Sequence, residues 1–155
     1  MDAVAGSQVT PGYDVTPGYE VDDDPARIDV DAAYAFLSTE AYWGRWRTSE
    51  DFADQVRKSW RVVGAFDPTG QMVGFARAWS DGVASAYLAD VYVDAAHRGH
   101  GLGVAIVHKM IEDGPGREFR WLLHTSDAQG LYEKFGFGPS SAMERPAGPS
   151  RPPIS

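Results

Sequence analysis

Apolar positions return at intervals of three and four at Val30, Ala33, Tyr34 and Leu37, the stripe of a helix with one buried face. Asp29 stands just ahead of it as a cap. A second helix is predicted where Thr48 and Asp51 form a capping-box pattern, with Phe52, Val56 and Trp60 falling on one side. The pattern then changes. Arg61 to Phe66 and Met72 to Trp79 read as strands around the turn Asp67-Pro68-Thr69-Gly70. Asp81-Gly82 marks a second hairpin, leading into a strand that ends at Val93. Val104 to Ile111 reads as a helix, Phe119 to His124 as a short strand, and Ala128 to Phe135 as a helix closed by Gly136. A first strand is expected around Tyr19 to Val21. The order predicts an α/β domain with a mixed central sheet flanked by helices.

Composition narrows the class. A chain of 155 residues with 43% hydrophobic content suits one domain with a sizeable core. It has no cysteine, which excludes disulfides, cysteine nucleophiles and cysteine-based zinc sites. Its four histidines show no metal-ligand spacing, so no metal is expected. No apolar run reaches membrane-spanning length and the start does not read as a signal peptide, so the expectation is a cytoplasmic protein with no membrane partner.

Charge is uneven. Residues 1–24 hold Asp2, Asp14, Glu20, Asp22, Asp23 and Asp24 and no Lys or Arg, so of the net −8 only −2 falls on the rest. That near balance argues against nucleic acid as a partner. The same stretch repeats itself, Val9 to Asp14 and then Val15 to Glu20, each with a Pro-Gly turn signal. Two copies are too few for a repeat fold. The expected organisation is an acidic, flexible arm over 1–24 whose end supplies the first strand. A domain over 25–145 and a Pro-rich disordered tail over 146–155 complete it.

The chemistry centres on Arg98-Gly99-His100-Gly101-Leu102-Gly103, set between a strand and a helix. Glycines without a Cβ let an anion approach the main chain, and the helix start adds free N–H groups and a positive dipole end. Val104 and Ala105 follow Gly103 where a P-loop needs Lys and Ser or Thr, so a nucleotide triphosphatase is unexpected. The dinucleotide fingerprint also fails, with Leu102 or Ile106 at its last glycine position. The glycines alone leave open a tight turn that binds nothing.

Downstream, Ala128 to Phe137 reads Ala-x-x-x-Tyr-Glu-Lys-x-Gly-Phe. Together with Arg98-x-x-Gly-x-Gly, in this order and at this separation, it resembles the GNAT N-acetyltransferase superfamily. The stronger similarity covers Val91 to Gly103 and Leu123 to Phe137, with weaker similarity over most of Ile28 to Phe137. The resemblance implies a sheet with a splayed pair of parallel strands, acetyl-CoA as co-substrate, and transfer of the acetyl group to a primary amine in a ternary complex. Backbone groups of Arg98, Gly99, His100, Gly101, Leu102 and Gly103 would hold the pyrophosphate. Val91, Tyr92 and Val93 would pair with the pantetheine arm, next to a bulge that opens the slot. Thr125, where relatives often carry Asn, could donate to the pantetheine.

Tyr132 matches the tyrosine that protonates the leaving thiolate in such enzymes; packing on a helix face is its other reading. Candidate bases are Asp90 and Asp81, each equally readable as a salt-bridge or turn residue. Polyamine-acetylating relatives carry Leu-Glu-Asp where this chain has Leu88-Ala89-Asp90, which speaks against a polyamine acceptor. His124, alone on an apolar strand, reads as a packed residue. The segment Tyr42-Trp43-Gly44-Arg45-Trp46-Arg47 would line the acceptor site, through Tyr42, Trp43, Arg45 and Trp46, and would suit a flat or apolar acceptor with a carboxylate; a hydrophobic staple between helices, with the arginines on the surface, is its equal alternative. A small-molecule amine is the expected partner, and a homodimer is compatible with the chain. The alternatives are acetylation of a protein lysine or N-terminus, or a non-catalytic acetyl-CoA-binding sensor.

Overall fold

The structure, a computed structural model, describes residues 14–41 and 46–151. Most of the first hexad copy, and Tyr42, Trp43 and Arg45, lie outside the described residues.

Two capped helices come first after a short strand. Strand β1 spans Glu20–Asp22. Helix α1, Val30–Thr39, starts where the Asp29 carboxylate accepts from the Ala32 N–H at 3.0 Å. Helix α2, Ser49–Lys58, starts where the Thr48 hydroxyl accepts from the Asp51 N–H at 3.1 Å. Glu50 and Asp51 sit in its first turn and Arg57 and Lys58 in its last, the arrangement its dipole favours. Strands β2, Arg61–Phe66, and β3, Met72–Ser80, meet at a turn where the Asp67 carboxylate accepts from the Thr69 and Gln71 N–H groups. Strand β4, Ser85–Val93, follows the second hairpin. Helix α3, Leu102–Ile111, crosses to β5, Arg120–Leu122, and α4, Gln129–Glu133, follows.

The five strands lie in the order β1-β2-β3-β4-β5, antiparallel except for the parallel pair β4 and β5. A parallel pair needs a crossover, and α3 supplies it. The expected α/β fold with a mixed sheet and a splayed parallel pair is therefore what the chain adopts. Pairing of β4 with β5 runs only from Ser85–Arg120 to Tyr87–Leu122. Past Tyr87 the two strands separate.

The cause of the separation is a bulge. Phe75 faces Tyr92 and Arg77 faces Ala89, so the single residue Ala76 stands opposite both Asp90 and Val91. Asp90 takes the left-handed conformation there, φ 57°, and is the one non-glycine among the described residues to do so. The same divergence shortens β5, expected to reach His124, because residues beyond Leu122 have no strand to pair with. Helix α4 is also shorter than its apolar pattern, ending before Gly136 at φ 87°.

Two apolar cores flank the sheet. Val63, Val73, Leu88, Ile106, Val107 and Met110 pack under α3. Leu37, Phe52, Val62, Phe75 and Tyr92 pack under α1 and α2. Arg61 secures the C-terminal end of α3 by donating to the Met110 and Lys109 carbonyls at 3.2 and 2.8 Å.

Candidate active site

The gap between the parting strands is a cleft of about 1060 Å³. Leu88 to Val93 form one wall; Leu123 to Ala128, Leu131 and Tyr132 form the other. The glycine turn also lines it, as do Phe36, Glu40, Ala41 and Trp46. Sequence-predicted residues from all three segments, the bulged strand, the glycine turn and α4, thus share one cavity.

At the glycine turn, Gly99 and Gly101 adopt φ 88° and 81°, a region that carries a penalty for any side chain. Gly101 is the residue before α3, and no side chain caps the helix start. The first N–H groups of a helix have no intrahelical partner, and here the first helical residues, Leu102, Gly103 and Val104, line the cleft. A Cβ on Gly99 would meet nothing within 4 Å, so the main chain is open to approach there. This corner fits a bound diphosphate. Arg98 is exposed, and its Nε donates to the Val93 carbonyl at 3.2 Å.

The outer side of this turn is covered by the segment before β1. The Thr16 N–H donates to the His100 carbonyl at 3.2 Å, and Tyr19 stacks on the His100 ring at 4.5 Å between centroids. Thr16 Oγ1 also meets His100 Nδ1 at 3.0 Å, and the Tyr19 hydroxyl meets His97 Nδ1 at 3.0 Å. His100, expected as part of the cradle, therefore offers its carbonyl and ring to this segment.

Tyr132 is buried on α4 against Phe137, and burial pushes its phenol up to about 12. It is a neutral hydroxyl at any physiological pH, in the state a proton donor requires. The Thr125 hydroxyl acts locally, accepting from the Ala128 N–H at 3.1 Å at the start of α4.

The two candidate bases occupy the salt-bridge and turn settings that were their other reading. Asp90 is buried between two guanidinium groups. Arg47 meets both of its oxygens, at 2.7 and 2.9 Å, and Arg77 Nε meets one at 2.6 Å. Burial pushes the carboxyl up, but the two arginines outweigh it and hold it below the ordinary carboxylate value. An anion so firmly stabilised is a poor proton acceptor. Asp81 lies at the exposed tip of the β3–β4 hairpin, where its carboxylate accepts from the Ala84, Val83 and Ser85 N–H groups. It does not line the cleft. Its geometry is that of a turn residue.

Two residues were missed by the reading of the sequence. Arg47 appeared there only as part of an arginine- and tryptophan-rich segment; in the structure it is buried, and besides Asp90 it donates to Gln55 Oε1 at 2.7 Å. Its guanidinium also lies over the Phe52 ring at 4.7 Å. His124, expected to be packed, has a side chain 41% exposed, lines the cleft, and bonds to Tyr87 and Glu144. Trp46, of the expected acceptor segment, is exposed at the cleft mouth.

No group of His, Cys, Asp or Glu among the described residues is placed to hold a metal. No helix among them is long and apolar enough to cross a membrane.

Residues 30–137 match the profile of the acetyltransferase (GNAT) family. A presumed acetyltransferase of Gibberella zeae is 31% identical over 135 residues, which cover 74% of this chain and 75% of the relative. Among solved structures, a presumed GNAT-family acetyltransferase from Xanthomonas campestris pv. campestris is 32% identical, with a TM-score of 0.78 over 84% of this chain and 94% of its own. Glucosamine-6-phosphate N-acetyltransferase from Arabidopsis thaliana shares the fold at 15% identity, with a TM-score of 0.58 over 83% of this chain and 97% of its own.

Proposed function

The chain belongs to the acetyltransferase (GNAT) family, and we propose that it moves the acetyl group of acetyl-CoA directly to a primary amine of a small molecule. The observation that carries this reading is one cleft holding the uncapped start of α3, the parted edge of β4 and the protonated hydroxyl of Tyr132.

Each part has a role. The N–H groups around Gly101 to Val104 hold the diphosphate. The free edge of β4 from Val91 to Val93 pairs with the amide-bearing arm, and the Val91 N–H at the bulge serves the thioester carbonyl. Acetyl-CoA supplies an activated acyl group on a sulfur leaving group. Tyr132 donates its proton to that sulfur. Phe36, Glu40 and Trp46 also line the cleft and are the residues assigned to the incoming amine. These suit a cationic nitrogen on a flat or apolar body.

The test is release of free CoA from acetyl-CoA across a panel of arylalkylamines, aliphatic diamines, amino acids and aminosugars. The expected result is turnover with at least one amine and a product heavier by one acetyl group. Tight acetyl-CoA binding with no release on any amine, including lysine peptides, would mark the chain as a sensor.

A further inference from the structure

A second pocket, of about 290 Å³, lies between α2 and β3. Trp46 lines both this pocket and the cleft. Asp90 lines the cleft and Arg77 the pocket, and Arg77 Nε donates to Asp90 at 2.6 Å. One charged hydrogen bond thus links the two cavities. The charges around it do not balance. Asp90 is a single carboxylate shared by two guanidinium groups, Arg47 and Arg77. Arg47 directs its terminal nitrogens to Asp90 and Gln55. Arg77 engages Asp90 through Nε, and among the described residues its two terminal nitrogens have no acceptor. Its side chain is only 7% exposed. Arg47 Nε is sealed from solvent without a partner, whereas the terminal nitrogens of Arg77 are not sealed, and the cavity that Arg77 lines is this pocket. A planar fork of free donors, fixed by burial, matches the geometry of a carboxylate.

The walls add a second requirement. Trp46 and Trp79 are 37% and 41% exposed. The Arg47 guanidinium lies over the Trp46 ring at 5.7 Å and that of Arg77 over the Trp79 ring at 5.4 Å, so both indoles are tied to the charged cluster. Tyr87 stacks on Trp79 at 4.3 Å between centroids. Asp51 and Asp54 also line the pocket, as do Lys58 and Arg151. Asp54 is paired with Arg57 and Lys58, and Asp51 sits in the first turn of α2, where the helix dipole favours an anion. Neither acid forms an ion pair with Arg77 among the described residues. We propose that this pocket binds a small carboxylate carried on a flat or apolar body, with the Arg77 fork on the carboxylate and the two indoles along the body. The bound anion supplies the second counter-charge for the cluster at the bulge. The volume is near the lower end for ligand pockets, roughly 300 Å³, and fits one ring with a short arm. The proposal goes beyond the acetyl-transfer reading and does not rest on it. The carboxylate has two sources: the far end of the acceptor, reaching past Trp46, or a separate ligand that steadies the bulge by completing its charge.

The experiment titrates 3-phenylpropionate into the full chain without acetyl-CoA. Nitrogen-15 NMR follows the indole N–H signals of Trp46 and Trp79 and the Nε–H of Arg77. Saturable shifts of these signals are expected at millimolar concentration or below. The uncharged analogue 3-phenylpropionamide should bind about tenfold more weakly or worse. R77K, which keeps the charge and loses the fork, should weaken binding of the acid by a similar factor. W79A should weaken it about 3- to 10-fold; Trp79 does not line the cleft, and this variant carries the test if thermal melts show R77K to be unfolded. Absence of saturable shifts, equal binding of acid and amide, or unchanged affinity in W79A and in folded R77K overturns the proposal. Acetylation of 2-phenylethylamine in the presence of 3-phenylpropionate then identifies the source. Competition with the amine assigns the carboxylate to the acceptor, and an unaltered KM for the amine with the pocket saturated assigns it to a separate ligand. The titration is read without acetyl-CoA, so the shifts stand even if no amine is acetylated. An active enzyme that shows no shifts loses the pocket and keeps the acetyl-transfer reading.

Discussion

Arg47 meets Asp90 with both terminal nitrogens, at 2.9 and 2.7 Å, and so joins the turn ahead of α2 to the bulge of β4. The two residues are 43 positions apart and both buried. The carboxylate sits where β4 turns aside to open the cleft, so the pair ties the cleft's shape to the segment that borders its mouth. Asp90 also bonds to Arg77, so two cations share one anion.

D90N should therefore be strongly destabilising. Asparagine tolerates the left-handed backbone at this position much as aspartate does, so the substitution isolates charge from backbone strain. Removing it leaves two buried guanidinium groups with no counter-charge, a loss on the order of 3–5 kcal/mol by comparison with other broken buried pairs. Urea denaturation measures it. R47K should recover little, since an ammonium cannot engage both oxygens in the fork geometry.

The same carboxylate should leave a mark on acid stability. Its folded pKa is depressed, so its contribution is whole above the ordinary carboxylate value near ~4 and is lost as pH falls through the lower folded value. Stability followed from pH 6 down to pH 2 should drop in that window in the wild type. D90N should show a shallower drop.

Tyr132 should matter to turnover and little to binding. Y132F is expected to reduce kcat on the order of 100-fold or more, with acetyl-CoA affinity, by calorimetry, within about twofold. Because burial raises the phenol to about 12, no loss of activity between pH 7 and pH 10 should arise from its ionisation. A wild-type rate that holds or rises across that range fits a donor that keeps its proton.

G101A should weaken both fold and cofactor binding. A methyl group at φ 81° is strained by roughly 1–2 kcal/mol, and its Cβ would overlap the Asp14 carbonyl oxygen. The turn must shift to relieve the overlap, and the N–H groups beside it shift as well. A lower melting temperature together with weaker acetyl-CoA binding is the expected pair of results.

Acetyl-pantetheine, which lacks the diphosphate, should bind far less well than acetyl-CoA. Hydrogen bonds to charged groups contribute about 1.5–3 kcal/mol each, so losing two at the start of α3 corresponds to a factor of roughly 100 or more in KM. Equal KM values for the two donors would remove the diphosphate from the glycine turn.

What could be read from the sequence was local. The caps at Asp29 and Thr48 act within three residues, and both hairpins carry their turn signals in adjacent positions. The glycine turn and the α4 pattern are short and self-contained, and they do share one cleft. What escaped was pairing between distant residues. Nothing in Leu88-Ala89-Asp90-Val91 signals a left-handed residue, because aspartate adopts it here only where two arginines and the neighbouring strand hold it. His124 looked isolated because Tyr87 and Glu144, its partners, are 37 and 20 positions away. Asp81 and Asp90 looked equivalent as carboxylates. Their surroundings, three backbone N–H groups for one and two guanidinium groups for the other, are tertiary facts.

The seat of Thr16 and Tyr19 on His100 has a practical consequence. The second hexad copy is masonry around the glycine turn, so a purification handle fused upstream is continuous with the stretch of chain that walls it. Kinetic constants from a tagged preparation and from one trimmed past Tyr19 would describe two differently walled enzymes. A comparison among orthologous chains should therefore begin by matching their leading ends.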